Sequence, residues 1–195
     1  MFFKKKTNAH LHLLIHEIIG EPIPDFDIDV FKNGSFDKIK LSDYRGKWLI
    51  IFFYPADFTF VCPTELENLS EIYKEVQSLD GEIISISTDT VHTHKVWHEQ
   101  SEAVRKVKFP MGADHSGILA KKLNVYNHES GMARRASFIV DPGGMVNAFE
   151  VNSDQYGRNA EELLRKLKAA IHVRANPNEM CPANWHVGDK PISLK

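Results

Sequence analysis

Residues 47–54 read KWLIIFFY, and the segment that follows, residues 55–65, reads PADFTFVCPTE. After Lys47 the run is apolar without alternation and of strand length, the pattern of a central strand covered on both faces. A helix then follows from about Thr59 or Cys62 to Leu79. Its apolar residues Leu66, Leu69, Ile72, Tyr73, Val76 and Leu79 recur at spacings of three and four, with Gly81 placed to stop it. Residues 82–87 form a second apolar run. The three segments predict a strand–helix–strand unit.

The elements on either side extend this unit. Upstream, residues 21–25 (EPIPD) predict an extended lead-in, because proline restricts its own φ and the residue before it. Phe26, Ile28 and Val30 alternate with Asp27 and Asp29, and Asn33-Gly34 predicts a hairpin turn into residues 36–41. Downstream, residues 91–101 and 117–123 read as helices. Residues 136–141 and 145–151 read as strands joined by Asp141-Pro142-Gly143-Gly144. Asn159 is placed to cap a last helix, with Glu161 and Glu162 in its first turn and Leu163, Leu164, Leu167 and Ile171 on one face. A βαβ unit followed by ββα is the plan of an α/β, thioredoxin-like fold, here with an N-terminal hairpin extension and a C-terminal tail. The expected division is an extension over residues 1–19, a domain over 20–172, and a polar, proline-punctuated tail over 173–195.

Composition narrows the function classes. Of 195 residues, 43% are hydrophobic and 26% charged, which fits a globular domain and argues against a disordered, fibrous or membrane-embedded chain. Lys+Arg number 24 against 26 Asp+Glu, so no strong field points to nucleic acid or an acidic membrane surface. Lys4, Lys5 and Lys6 resemble the start of an export signal. The stretch after them is interrupted by His12, His16 and Glu17, so a cytoplasmic protein is expected. Two cysteines, 119 positions apart, form neither a disulfide framework nor a CxxC zinc or dithiol site. His10, His12 and His16 cluster, and His94 and His98 lie four apart, but neither group has an obvious further ligand. No metal and no cofactor are expected.

Cys62 stands at the joint between the most apolar strand and the helix, the end of an α/β sheet where active sites gather. Pro63 suits a first helical turn, and Glu65 favours a helix start. Unpaired N–H groups and the helix dipole there favour an anion, hence a thiolate. Thr59 stands three residues before the sulfur and could offer it a hydroxyl, and Pro55 could screen it from water. Taken alone, Cys62 reads first as an inert core cysteine, as most lone cysteines are. Cys181, in Glu179-Met180-Cys181-Pro182-Ala183, has no helix start of its own and taken alone reads equally as an inert tail residue.

The spacing Pro55-xxx-Thr59-xx-Cys62 resembles the active-site motif of the peroxiredoxins. Nine prolines, six threonines and two cysteines in a chain of this length yield about 0.003 such matches by chance. The longer string FFYPADFTFVCPTEL is similar to the alkyl hydroperoxide reductase small subunits, which are typical 2-Cys peroxiredoxins. The similarity runs from about Gly20 to Trp185. It includes SISTDTVHTHKVWH (85–98), ARRASFIVDPGG (133–144) and the tail around Cys181.

The resemblance implies a thiol peroxidase acting on hydroperoxides. It makes Cys62 the peroxidatic cysteine, oxidised to a sulfenic acid, and Cys181 the resolving cysteine, which closes a disulfide with Cys62 of the partner subunit. It assigns Thr59 to hydrogen-bonding the peroxide and Arg135, not Arg134, to stabilising the thiolate and polarising the peroxide. Arg158 becomes a second supporting arginine and Glu65 the carboxylate that orients both. It also implies a homodimer, often assembled as a pentamer of dimers, and an external dithiol reductant: thioredoxin or a dedicated flavoprotein disulfide reductase. An alternative is a ring-forming holdase chaperone or peroxide-relay protein. The chain lacks Gly-Gly-Leu-Gly between Trp97 and Asp114 and a Tyr-Phe pair near its end. Family members sensitive to over-oxidation carry both, so comparative resistance is expected.

Overall fold

The computed structural model describes residues 18–194. In chain order these form β1 (Asp27–Lys32), β2 (Ser35–Lys40), β3 (Trp48–Phe53), α1 (Cys62–Ser78), β4 (Gly81–Ser87), α2 (Val91–Gln100) and β5 (Met111–Ala113). There follow α3 (Ile118–Lys122), β6 (Tyr126–Asn127), β7 (Met132–Ala133), β8 (Arg135–Val140), β9 (Val146–Asn152), α4 (Ala160–Ala175), β10 (Glu179–Met180) and β11 (Ile192–Ser193). Seven strands make one sheet in the order β2-β1-β5-β4-β3-β8-β9. β3, β4 and β5 run parallel, and β8 turns antiparallel on β3.

Every residue of β3 is buried, as its unbroken apolar run requires. Alternate side chains go to opposite faces of a strand. Trp48, Ile50 and Phe52 enter a core with Leu66, Leu69 and Val76 of α1 and Leu163, Leu164 and Leu167 of α4. Leu49, Ile51 and Phe53 enter a second core with Leu119 and Ala120 of α3 and with Ile28 and Val30 of β1. The same alternation in β8 sends Ile139 to the α1/α4 face and Ala136, Phe138 and Val140 to the other. Arg135 and Ser137, in phase with Ile139, therefore face α1.

The Asn33-Gly34 hairpin is present, with both turn residues at positive φ. The Asn159 carboxamide accepts from the backbone N–H groups of Glu161 and Glu162, and so caps α4.

Three features differ from the sequence expectation. β5 escapes periodicity because it is three residues long and contains Gly112, yet it joins β1 to β4 at the middle of the sheet. Helix α1 ends through Asp80, which takes the left-handed conformation at φ 53°, and not through Gly81. Gly81 serves packing instead: a Cβ there would lie 2.8 Å from both the Val76 side chain and its carbonyl oxygen. Gly81→Ala is expected to cost about 1–3 kcal/mol in urea denaturation, because neither contact can yield freely.

The tail is also more ordered than its prolines suggest. β10 pairs with β11, Trp185 is buried, and its indole lies 4.7 Å from the His172 ring of α4. The Arg165 guanidinium donates to the Trp185 carbonyl, which ties the tail to the same helix.

Among the described residues no helix is long and apolar enough to cross a membrane. His10, His12 and His16 lie outside the described residues.

Candidate active site

The site forms where β3 ends, β8 begins and α1 starts. Residues 54–61 cross the top of the sheet as bends and a turn and deliver Cys62 as the first residue of α1, with Pro63 next to it. Cys62 is fully buried. The Arg135 Nη1 of β8 donates to its Sγ at 3.3 Å and to Glu65 Oε2 at 2.6 Å. Glu65 lies one helical turn after Cys62, on the same side of α1. Its Oε1 accepts from the backbone N–H of Arg158 at 2.8 Å and from Arg158 Nε at 2.9 Å. Arg158 Nη2 reaches Glu65 Oε2 at 3.2 Å and the Phe53 carbonyl at 2.9 Å, and the guanidinium lies 3.4 Å from the centre of the Phe52 ring. Arg135 is held from its far side by the Asp154 carbonyl.

One carboxylate thus holds two buried guanidinium groups, and the cluster carries one net positive charge beside the sulfur. Burial pulls Arg135 down, but the charge and hydrogen bonding of the Cys62 sulfur and then of Glu65 outweigh it, so Arg135 holds its proton more firmly than a free arginine. Burial pulls Arg158 down despite Glu65. A cation in hydrogen-bond contact favours the thiolate over the thiol. The same contact stabilises negative charge that develops on an oxygen bonded near that sulfur.

Four of the residues singled out in the sequence, Cys62, Glu65, Arg135 and Arg158, meet through these contacts. Pro55 is buried at the end of β3. Thr59 is half-buried, and its hydroxyl donates to the Ala56 carbonyl at 2.9 Å, within its own turn. Cys181 lies apart, after β10, with its thiol 3.9 Å from the Ala169 carbonyl of α4. Partial burial, and then the Glu179 carboxylate, push the Cys181 thiol up.

A second buried polar cluster escaped the sequence reading. The Tyr54 hydroxyl donates to Asp57 Oδ1 at 2.7 Å, His94 Nδ1 meets Asp57 Oδ2 at 2.8 Å, and His94 Nε2 meets the Gly112 carbonyl at 3.1 Å. Since a carbonyl only accepts, Nε2 carries a proton. Burial pushes the Asp57 carboxyl up, against the His94 contact. Asp57 and His94 are 37 positions apart. The hint in the sequence was a histidine on a helix that also carries Trp97; its two ring partners show that it is not free to bind a metal. Among the described residues no group of three or more His, Cys, Asp or Glu is placed to hold a metal ion.

Residues 19–149 match the sequence model of the AhpC/TSA family. The chain belongs to the AhpC/TSA family. Like the family as the sequence resemblance describes it, the chain is a peroxiredoxin and an enzyme. Alkyl hydroperoxide reductase C of Salmonella typhimurium is 45% identical to it over 176 residues, 90% of this chain and 94% of that protein. The protein of the same name in Bacillus subtilis is 43% identical with the same coverage. Among solved structures, AhpC of Enterococcus faecalis superposes with a TM-score of 0.82 at 45% identity, covering 85% of this chain and 99% of that one. The reduced 2-Cys peroxiredoxin of Plasmodium vivax superposes with a TM-score of 0.85 at 29% identity, covering 89% and 92%. The AhpC/TSA chain therefore has the thioredoxin-like α/β fold that its element order predicts.

Proposed function

We propose that this peroxiredoxin is a thiol-specific peroxidase that reduces hydrogen peroxide and organic hydroperoxides through Cys62 and Cys181. The observation that carries the reading is the buried Cys62 sulfur at the start of α1, with Arg135 Nη1 3.3 Å away.

The thiolate attacks one peroxide oxygen: the S–O bond forms as the O–O bond breaks. The sulfur loses two electrons, and the departing oxygen leaves as water or alcohol after taking a proton. Arg135 faces the charge passing from sulfur to oxygen, and Glu65 fixes the direction of its guanidinium. Thr59, on the turn beside Cys62, has a hydroxyl oxygen with accepting capacity left for a peroxide proton. Pro55, buried at the base of the turn, helps to keep water off the sulfur. Cys181 of the partner subunit then attacks the Cys62 sulfur. The S–S bond forms, the S–O bond breaks, and the oxygen leaves as water. A dithiol protein, thioredoxin or a flavoprotein disulfide reductase, reduces the disulfide and is itself oxidised. On this reading the working unit is a homodimer, assembled as a pentamer of dimers.

Two sulfurs can bond only when their Cα atoms approach within about 7 Å. Cys62 is fully buried in a helical turn, and Cys181 sits against α4. Both segments must therefore loosen during turnover. The test is peroxide consumption with a dithiol reductant, together with nonreducing gels. Cys62→Ser is expected to abolish turnover. Cys181→Ser is expected to lose the disulfide-linked dimer while keeping one round of Cys62 oxidation. Turnover surviving in Cys62→Ser, or a dimer band surviving in Cys181→Ser, overturns the reading.

A further inference from the structure

The turn that carries Cys62 is held very unequally at its two ends. Asp57 is 6% exposed and is gripped on three sides: by the Tyr54 hydroxyl from the end of β3, by His94 of α2, and at its backbone N–H by Asp89 Oδ2 at 2.8 Å. Each grip is itself anchored. His94 is fully buried and rests on the Gly112 carbonyl of β5, and Asp89 accepts from the Ser87 hydroxyl at the end of β4. Asp57 is thereby fastened across the central strands.

The next residue is different. Phe58 takes φ 55°, a conformation that costs a bulky side chain roughly 1–3 kcal/mol, and its ring is half exposed. Phe60 is 96% exposed. From Phe58 to Val61 the side-chain hydrogen bonds stay within the turn or the first residues of α1. Hydrogen-bonded anchorage to the central strands stops at Asp57; one residue later strain and exposure begin, and the Phe58 ring keeps a packing contact with Trp97 of α2, 6.0 Å between centroids.

We propose that the Tyr54–Asp57–His94 cluster is the fixed hinge post of the Cys62 segment, and that His94 is a positioning residue that keeps the thiol in its buried place between turnovers. The proposal rests on the peroxidase reading for its purpose but not for its measurement. When the segment opens, motion starts at Phe58; with the post loosened, residues 55–57 join it and the buried sulfur is uncovered more often.

His94 can be altered at one contact at a time. A glutamine amide reaches about as far as Nε2, so His94→Gln keeps the Gly112 contact and releases Asp57. An asparagine amide stands near the Nδ1 position, so His94→Asn keeps the Asp57 contact and releases Gly112. Asparagine, one methylene shorter, leaves the larger gap at this fully buried position, so a purely structural role makes His94→Asn the more disruptive of the two.

The experiment follows alkylation of the one remaining thiol by a bulky maleimide in the reduced full chain carrying Cys181→Ser. No peroxide is present, so the result stands apart from any failure of the peroxidase reading, which the Cys62→Ser turnover assay reports. His94→Gln is expected to label Cys62 about tenfold faster than His94→Asn, with His94→Asn close to the unaltered histidine. A Gln-to-Asn rate ratio of three or less overturns the proposal. If His94→Gln does not fold, Tyr54→Phe removes one hydroxyl from Asp57 with the ring retained. Labelling more than threefold faster than with Tyr54 then supports the hinge post, and a ratio of three or less overturns it.

Discussion

Arg135→Met is expected to lower the second-order rate constant of Cys62 with hydroperoxide by about 10²–10³-fold, the usual effect of removing one preorganised donor from developing negative charge. The substitution keeps an unbranched chain of similar length and deletes only the cation 3.3 Å from the sulfur. The fold should bear it, because Glu65 keeps Arg158 through two side-chain contacts and one backbone contact. Arg158→Met is the matched comparison. Arg158 holds Glu65 and the Phe53 carbonyl and has no hydrogen bond to the sulfur, so its loss should weaken stability more and the chemical step less. Stopped-flow oxidation of the reduced protein measures the first effect and urea denaturation the second. If Arg135→Met reacts within fivefold of the unaltered chain, the role assigned to this arginine fails.

Glu65→Gln is expected to be the most destabilising single change in the site, by about 3–5 kcal/mol, the cost of breaking a buried ion pair from one side. The substitution is nearly isosteric, but it leaves two guanidinium groups, 4% and 2% exposed, without the carboxylate they share. For a chain of this size that corresponds to a fall in Tm of roughly 6–20 °C. A loss below 1 kcal/mol in urea would show that water or rearrangement compensates the two charges. Activity should fall together with stability, since Arg135 loses the partner that aims it.

Much of this arrangement is legible in the residues. The unbroken run after Lys47 specifies a strand buried on both faces, and the three-and-four spacing after Cys62 specifies the helix that covers it. Asn33-Gly34 and Asn159 mark a turn and a cap because each has a local chemical reason to be there. The resemblance around Cys62 brought Glu65, Arg135 and Arg158 into view, and the fold places all three in one hydrogen-bonded cluster. What escaped depends on contacts distant in sequence. The three residues of β5 are too few to show a period, and their central place in the sheet comes from pairing with β1 and β4. Gly81 and Asp80 are adjacent, and only the approach of Val76 separates a packing glycine from a helix stop. The Asp57–His94 pair joins a loop to a helix with no motif between them. Residues 173–194 look like a loose tail because Trp185 finds its cover on α4, a helix already counted as part of the domain.

The sequence distances within the Cys62 cluster have a consequence for synthesis of the chain. The sulfur at position 62 meets its cation at position 135, and the carboxylate that aims the cation is braced by position 158. Contacts of such long separation form late, after most of the sheet has closed. A nascent chain therefore carries Cys62 without its braced arginine until residue 158 has been made. The cation reaches the sulfur only in a molecule that has already folded, so the contact assigned to the chemistry is absent while the chain is being made.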